Sequence, residues 1–365
     1  MSKIIISGGG TGGHVFPAIA IADEIKKQLP DANILFVGAK GKIEMEKVPK
    51  AGYPIEGLWI SGFHRKLTLR NLTFAFKLVS SLIKSWGIVS RFRPDVAVGV
   101  GGYASGAVLQ VASMRNIPSL IQEQNSYPGV TNRILGGKAH KICVAYDGME
   151  RFFPVEKIIH TGNPVRSSVA KPLTDRKAAL KHFGLEEAKR TVFVFGGSLG
   201  AKSINQAIAA NAAEWANMED VQLIWQIGKL YEEDFAKCET AQLPNVKVLT
   251  FIDRMDWAYA LADVIVCRAG ALTIAELCLV AKPAILIPSP NVAEDHQTKN
   301  AQALVEKNAA HLLSDKAAKD EIVSAIANLL NDEKEQQKLK NNIQQLAQPK
   351  AAEAIAKEVL ALIKK

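Results

Sequence analysis

Two short stretches of this 365-residue chain hold residue types at spacings that could do chemistry. The first is Arg268-Ala269-Gly270-Ala271-Leu272-Thr273-Ile274-Ala275-Glu276, directly after the apolar run Val264-Ile265-Val266-Cys267. That order reads as a buried strand, a break, and a helix running from Ala271 through Val280. A helix's first turn offers unpaired N–H groups and a positive dipole end, and small residues there let a phosphate approach the backbone. Glu276 lies one to two turns inside, where its carboxylate could accept both hydroxyls of a ribose diol. An anion site beside a carboxylate is the chemistry of a nucleotide pocket. The plain alternative is an ordinary strand–turn–helix. The second stretch is Gly8-Gly9-Gly10-Thr11-Gly12-Gly13-His14. A histidine after a glycine turn has an unperturbed pKa near neutrality, as proton abstraction requires. Phosphate or substrate binding is its other reading.

The elements around these stretches must position them. Lys3–Ser7 reads as a buried strand, residues from Pro17 to Leu29 as a helix, and Asn33–Val37 as the next strand: a βαβ opening. Gly8, Gly10 and Gly13 satisfy the dinucleotide fingerprint, which also expects an acidic residue at the end of the second strand. The chain reads Val37-Gly38-Ala39-Lys40 there, with no acid until Glu44. A nicotinamide oxidoreductase therefore lacks its ribose ligand, and the glycine turn needs another task. Strands at 95–100 and 118–122 end in Gly101-Gly102-Tyr103 and Glu123-Gln124-Asn125, and ligands gather beyond the carboxyl ends of strands in open α/β sheets. The second half repeats the plan, with a strand at 191–195 before Gly196-Gly197-Ser198-Leu199-Gly200. The echoes of IIISGGGTGG in VFVFGGSLGA and of DVAVGVGG in DVIVCRAG predict an α/β chain of two doubly wound, Rossmann-like domains. Expected boundaries are 1–163, 164–344, and a C-terminal helical segment 345–365 packing back on the first domain.

Bulk properties narrow the partners. With 48% apolar and 22% charged residues the chain is globular, and its net charge of +9 favours anionic partners. The four cysteines have neither C-x-x-C nor zinc spacing, which points to reduced thiols. No apolar run is long enough to span a membrane. Between Gly57 and Pro94 there is no Asp or Glu, while Arg65, Lys66, Arg70, Lys77, Lys84, Arg91 and Arg93 alternate with Phe63, Phe74, Phe76, Trp86 and Phe92. We read Phe63–Arg93 as a surface for an anionic membrane, with nucleic acid as the less favoured rival and a core helix with a basic edge as the plain alternative.

GGGTGGHVFPA, GVGGYASG, EQNSYPGVTN, TGNPVR, GGSLGA, FIDRM and CRAGALTIAE occur in an order and spacing that resemble the MurG family, the peptidoglycan N-acetylglucosaminyltransferases. The resemblance covers nearly the whole chain. It implies a GT-B fold, two such domains facing a central cleft, and transfer of GlcNAc with inversion from UDP-GlcNAc to the 4-hydroxyl of undecaprenyl-diphospho-muramoyl-pentapeptide. It also implies a peripheral enzyme on the cytoplasmic face of the cell membrane. By residue, it implies Thr11, Gly12 and Gly13 beside the donor, Ser198 and Arg166 on the diphosphate, and Ala271, Leu272, Thr273, Ile274 and Ala275 as the phosphate-facing helix start. Glu276 falls on the ribose, the Ile252 backbone on uracil, and Asn125 and Gln297 on the sugar hydroxyls. Gly101, Gly102 and Tyr103 fall on the acceptor side. His14 is the preferred base, and Glu123 the alternative base or an orienting partner. Leu199 stands where many members carry Gln, and His296-Gln297 stands for an expected Gln-Gln pair. No cofactor and no metal are expected, since no Asp-x-Asp occurs. Rival functions are a UDP-GlcNAc 2-epimerase of the same fold and a non-catalytic basic adaptor.

Overall fold

The computed structural model describes residues 1–61, 70–165, 169 and 174–363. The chain divides into two compact units, Met1–Arg166 with Gln348–Lys365, and Ser167–Ala347. The first is a seven-stranded parallel sheet of β1 (Lys3–Ser7), β2 (Asn33–Ala39), β3 (Ile55–Leu58), β4 (Val96–Gly99), β5 (Ser119–Glu123), β6 (Lys141–Val144) and β7 (Ile158–His160). Its order is β3-β2-β1-β4-β5-β6-β7, so β1 pairs with both β2 and β4 (Ser7 opposite Val37 and Gly99). Helices cover both faces, which is why these strands are continuous apolar runs rather than alternating ones.

Successive side chains of β1 point to opposite faces. Ile4 and Ile6 join the cluster under α1 (Gly12–Gln28), and Ile5 joins the one under α3 (Arg70–Phe92) and α4 (Tyr103–Met114). The C-terminal helix Ala351–Ala361 packs beside α1 and sends Ile355, Ala356 and Val359 into the first cluster. Lys141 pairs with Glu358 at its outer edge.

The second unit is a six-stranded parallel sheet. Its strands are β8 (Arg190–Phe195), β9 (Val221–Gln226), β10 (Val246–Leu249), β11 (Val264–Cys267), β12 (Ala284–Leu286) and β13 (His311–Leu312), in the order β10-β9-β8-β11-β12-β13. Val192, Val194 and Trp225 build one face of its core with Ile204, Ile322 and Ile326. Elsewhere in the same unit Phe193 and Phe195 stack, and Tyr259 meets both rings edge-on.

The helix α3 carries an apolar stripe on its exposed side as well as apolar residues on its inner side. Ser81, Ser85, Ile88 and Val89 are buried, whereas Phe76, Val79, Ile83 and Trp86 stand out at 68, 55, 69 and 45% exposure. Those four share one side at helical spacing. The cations fold back to the protein: Lys84 Nζ donates to the Gly57 carbonyl at 2.8 Å, Lys77 Nζ to Ser61 Oγ at 3.0 Å, and Arg91 pairs with Glu56. The expected basic edge is thus partly tethered, and the open face is apolar. Phe63, Arg65 and Lys66 lie outside the described residues. Among the described residues, no helix is long and apolar enough to cross a membrane.

The Ala351–Ala361 helix supplies part of the first unit's core, so truncating Ile355, which is fully buried, should be costly. Ile355→Ala is expected to lower stability by about 2–5 kcal/mol in chemical denaturation. Substitution of exposed Lys357 should change it by less than about 0.5 kcal/mol.

Candidate functional site

In each sheet the chain leaves two neighbouring strands towards opposite faces, at β1 and β4 in the first unit and at β8 and β11 in the second. Such switch points open a crevice beyond the strand ends. The glycine turns named from sequence sit at these four ends.

In the first unit, Gly8-Gly9-Gly10 leads from β1 to Thr11, the extended N-cap of α1. Beneath this turn lies the carboxylate of Glu44, from the first turn of α2 (Glu44–Lys50) and only 1% exposed. Its Oε1 accepts the Ala39 N–H and its Oε2 the Gly10 N–H, both at 2.9 Å. A Cβ on Gly9 would lie 2.0 Å from Glu44 Oε1, so glycine there makes room for the acid. The turn after β4 closes on the same loop: a Cβ on Gly102 would meet the Gly9 carbonyl oxygen at 2.5 Å. Tyr103, at the start of α4, is 46% exposed.

His14 lies in the first turn of α1 with Nδ1 at 3.0 Å from the Gly9 carbonyl oxygen and 3.4 Å from Thr11 Oγ1. A carbonyl only accepts, so Nδ1 carries the proton. In the neutral ring Nε2 then holds the lone pair, the form a base needs. A Cβ on Gly101 would fall 2.9 Å from Nε2, so the second glycine turn also leaves space for the ring.

Glu123, at the end of β5, is 1% exposed. Oε1 accepts from Asn125 N (2.9 Å) and Nδ2 (3.2 Å), and Oε2 from Gly129 N (3.1 Å) and Asn132 Nδ2 (2.8 Å). Four donors converge on one buried carboxylate, which shapes the loop 125–129 and holds Asn125 in place. Gln122, Gln124 and Asn163 extend this network through bonds of 3.0 Å (Gln122 Nε2 to Asn163 Oδ1) and 2.9 Å (Gln124 Nε2 to the Val100 carbonyl).

In the second unit, β11 ends at Cys267 and the helix Ala271–Val280 begins after Gly270. Ala271, Ile274 and Glu276 are buried; Leu272, Thr273 and Ala275 are half-buried. Glu276 Oε2 accepts from the Tyr259 hydroxyl at 2.8 Å, which orients the carboxylate. Burial, helped by the charge of Glu276, pushes the Cys267 thiol far up, so it stays neutral. Arg268 holds the turn: its guanidinium donates to the carbonyls of Ile287 (3.0 Å) and Pro288 (3.1 Å) and to Ser203 Oγ (2.7 Å), and it pairs with Asp315. Ser198 and Leu199 are exposed on the turn after β8, where a Cβ on Gly200 would strike the Ile227 carbonyl oxygen at 2.1 Å. Ile252 is buried beside exposed Phe251. Gln297 Oε1 accepts the Ser289 N–H at 2.8 Å, in a helix (His296–Val305) entered through Glu294 and Asp295 at φ 55° and 50°. Arg166 lies outside the described residues.

The first unit therefore gathers Thr11, Gly12, Gly13, His14, Gly101, Gly102 and Tyr103 at the β1 and β4 ends, with Glu123 and Asn125 on the adjacent β5 end. The second gathers Ser198 and residues 271–276 about its own switch point. Glu44, Asn132, Tyr259 and the Arg268–Ser203–Asp315 cluster were not singled out from sequence. Glu44 registered only as an acid too late for the dinucleotide fingerprint, and Arg268 only as a strand breaker.

The Glu123 geometry is testable by stability. Glu123→Gln would turn an amide N–H₂ towards groups that donate, leaving buried polar atoms unsatisfied. The expected loss is about 1–3 kcal/mol in denaturation experiments.

Residues 4–144 match the glycosyltransferase family 28 N-terminal domain and residues 191–358 its C-terminal domain. A Flavobacterium psychrophilum protein named UDP-N-acetylglucosamine–N-acetylmuramyl-(pentapeptide) pyrophosphoryl-undecaprenol N-acetylglucosamine transferase is 54% identical over 99% of this chain and 98% of its own length. Among solved structures, Acinetobacter baumannii MurG aligns with a TM-score of 0.78 and 27% identity, covering 99% of this chain and 100% of that one. A UDP-GlcNAc 2-epimerase from Neisseria meningitidis bound to UDP-GlcNAc aligns at 0.69 with 14% identity, covering 99% and 100%, a likeness of fold alone.

Proposed function

This chain belongs to glycosyltransferase family 28 and, within it, to the UDP-N-acetylglucosamine–N-acetylmuramyl-(pentapeptide) pyrophosphoryl-undecaprenol N-acetylglucosamine transferases, and from that premise we propose its reaction and the residues that carry it. It is an N-acetylglucosaminyltransferase that moves GlcNAc from UDP-GlcNAc to the lipid-linked muramoyl-pentapeptide of peptidoglycan synthesis. The acceptor 4-hydroxyl attacks the anomeric carbon from the face opposite the diphosphate. A carbon–oxygen bond forms there as the bond to the UDP oxygen breaks, so configuration inverts. The hydroxyl proton passes to a base, and UDP leaves with the bonding pair.

The bond from His14 Nδ1 to the Gly9 carbonyl supports the assignment of the base, because it sets the ring proton on Nδ1 and the basic lone pair on Nε2. Glu123, gripped by four donors, is the orienting partner that holds Asn125 for the sugar. On the donor side, residues 271–275 face the diphosphate with their N–H groups, and Glu276, braced by Tyr259, takes the ribose hydroxyls. Ser198 and Arg166 bind the diphosphate, Arg166 offsetting the charge that develops as UDP departs. Ile252 meets uracil through its backbone, and Gln297 meets the GlcNAc hydroxyls. Thr11, Gly12 and Gly13 lie beside the donor, and Gly101, Gly102 and Tyr103 take the acceptor.

The test is transfer of label from UDP-GlcNAc into a lipid-linked muramoyl-pentapeptide. His14→Ala should lower kcat by about a hundredfold or more with UDP affinity nearly unchanged. Glu276→Ala should mainly raise the donor KM. Formation of UDP-ManNAc without label in lipid would mark an epimerase instead. Full kcat in His14→Ala with weaker acceptor binding would make His14 a ligand.

The same reading extends to the membrane. The outward stripe Phe76, Val79, Ile83 and Trp86 supports peripheral attachment to an anionic leaflet on the cytoplasmic side, where the acceptor is presented. Apolar insertion supplies most of the affinity, because the nearby cations Lys77, Lys84 and Arg91 are partly engaged by the protein. Binding to anionic vesicles should fall by about tenfold for each of Phe76→Ser and Ile83→Ser, and fall less when salt is raised. Loss of binding by salt alone, with the serine variants unaffected, would reverse that ranking.

A further inference from the structure

We propose that Glu44 is a positioning residue that selects the reactive tautomer of His14 by locking one peptide plane, an inference that rests on reading His14 as the base. The Gly9 carbonyl and the Gly10 N–H belong to the same peptide unit. In a trans peptide these two groups point in opposite directions. Here the carbonyl side faces His14 Nδ1 at 3.0 Å and the N–H side faces Glu44 Oε2 at 2.9 Å. The carboxylate and the imidazole thus grip one plane from its two sides.

Glycine on both sides of that plane makes a flip sterically easy, since both flanking torsions turn freely. A flip would aim the Gly10 N–H at the imidazole. Nδ1 would then have to accept, its proton would move to Nε2, and the ring would present a donor to the attacking hydroxyl. The carboxylate opposes this because it can accept a hydrogen bond but cannot donate one. It is itself fixed, by the Ala39 N–H on Oε1, by burial to 1% exposure, and by the space that Gly9 and Gly38 leave for it. Glu44 need not touch either substrate to act in this way.

The experiment uses the full-length protein with ¹⁵N-labelled histidine, His14 being assigned by the signal lost in His14→Ala. Two-bond ¹H–¹⁵N correlation above the ordinary titration range of histidine reads the tautomer directly. In the wild type His14 should be the Nδ1–H form; an Nε2–H ring there overturns the proposal without any variant. Glu44→Gln keeps the shape but supplies an amide that can donate to a flipped Gly9 carbonyl. It should bring in the Nε2–H form and lower kcat by about tenfold or more, with the UDP-GlcNAc KM within about twofold and UDP still raising the melting temperature. An unchanged tautomer in a folded Glu44→Gln, whatever its activity, reduces Glu44 to a structural prop and overturns the proposal. A changed tautomer with full kcat leaves the lock standing and removes His14 from the role of base.

Discussion

When adjacent parallel strands send the chain to opposite faces of a sheet, their connections diverge beyond the carboxyl ends, and each half of this chain is arranged around such a point. The turns that leave those ends must be tight and must let backbone approach backbone. Gly102 lies against the Gly9 carbonyl in the first unit, and Gly200 against the Ile227 carbonyl in the second. A single Cβ at either place would force the loops apart. The sheets supply the rigidity: β1, β4, β8 and β11 are buried nearly throughout, so the turns start from fixed points.

Holding the turns falls to charged groups placed behind them rather than in the crevice. Arg268 would pass for a phosphate ligand by residue type, yet its guanidinium ties the ends of β11 and β12 to Ser203 and Asp315. The helix start at Ala271 is thereby fixed without placing a full positive charge in the site, since Asp315 neutralises it. The partial positive charge of the helix terminus remains beside the turn. Glu276 is treated alike: Tyr259 secures one oxygen and so selects the direction of the other.

What the sequence made legible was whatever depends on local order. The alternation of apolar runs with glycine turns predicts two doubly wound sheets, and the helix read from Ala271 through Val280 has those bounds in the structure. Long-range pairing was not legible. Nothing in the spacing of Tyr259 and Glu276, or of Ser203, Arg268 and Asp315, announces their contact. The polarity of α3 was hidden for a similar reason. Its apolar residues run round most of the helix, and only the packing of Ser81 and Ser85 inward decides which of them face out. Nor does local order show that a long lysine side chain turns back to a carbonyl, as Lys84 does at Gly57.

The glycine fingerprint at Gly8, Gly10 and Gly13 shows how a correct motif can serve a different chemistry. In a dinucleotide fold the second glycine lets the pyrophosphate approach the backbone, and an acid at the end of the second strand takes the ribose. Here the acid stands at Glu44, beyond the end of β2, and the helix it begins turns it inward rather than towards a ligand. Its carboxylate takes the Gly10 N–H, so that amide is withdrawn from any phosphate. The loop keeps the geometry of a phosphate cradle but turns it to holding an imidazole. The acid's position along the chain therefore separates a loop whose amides face outward from one whose Gly10 amide is turned back to a buried carboxylate.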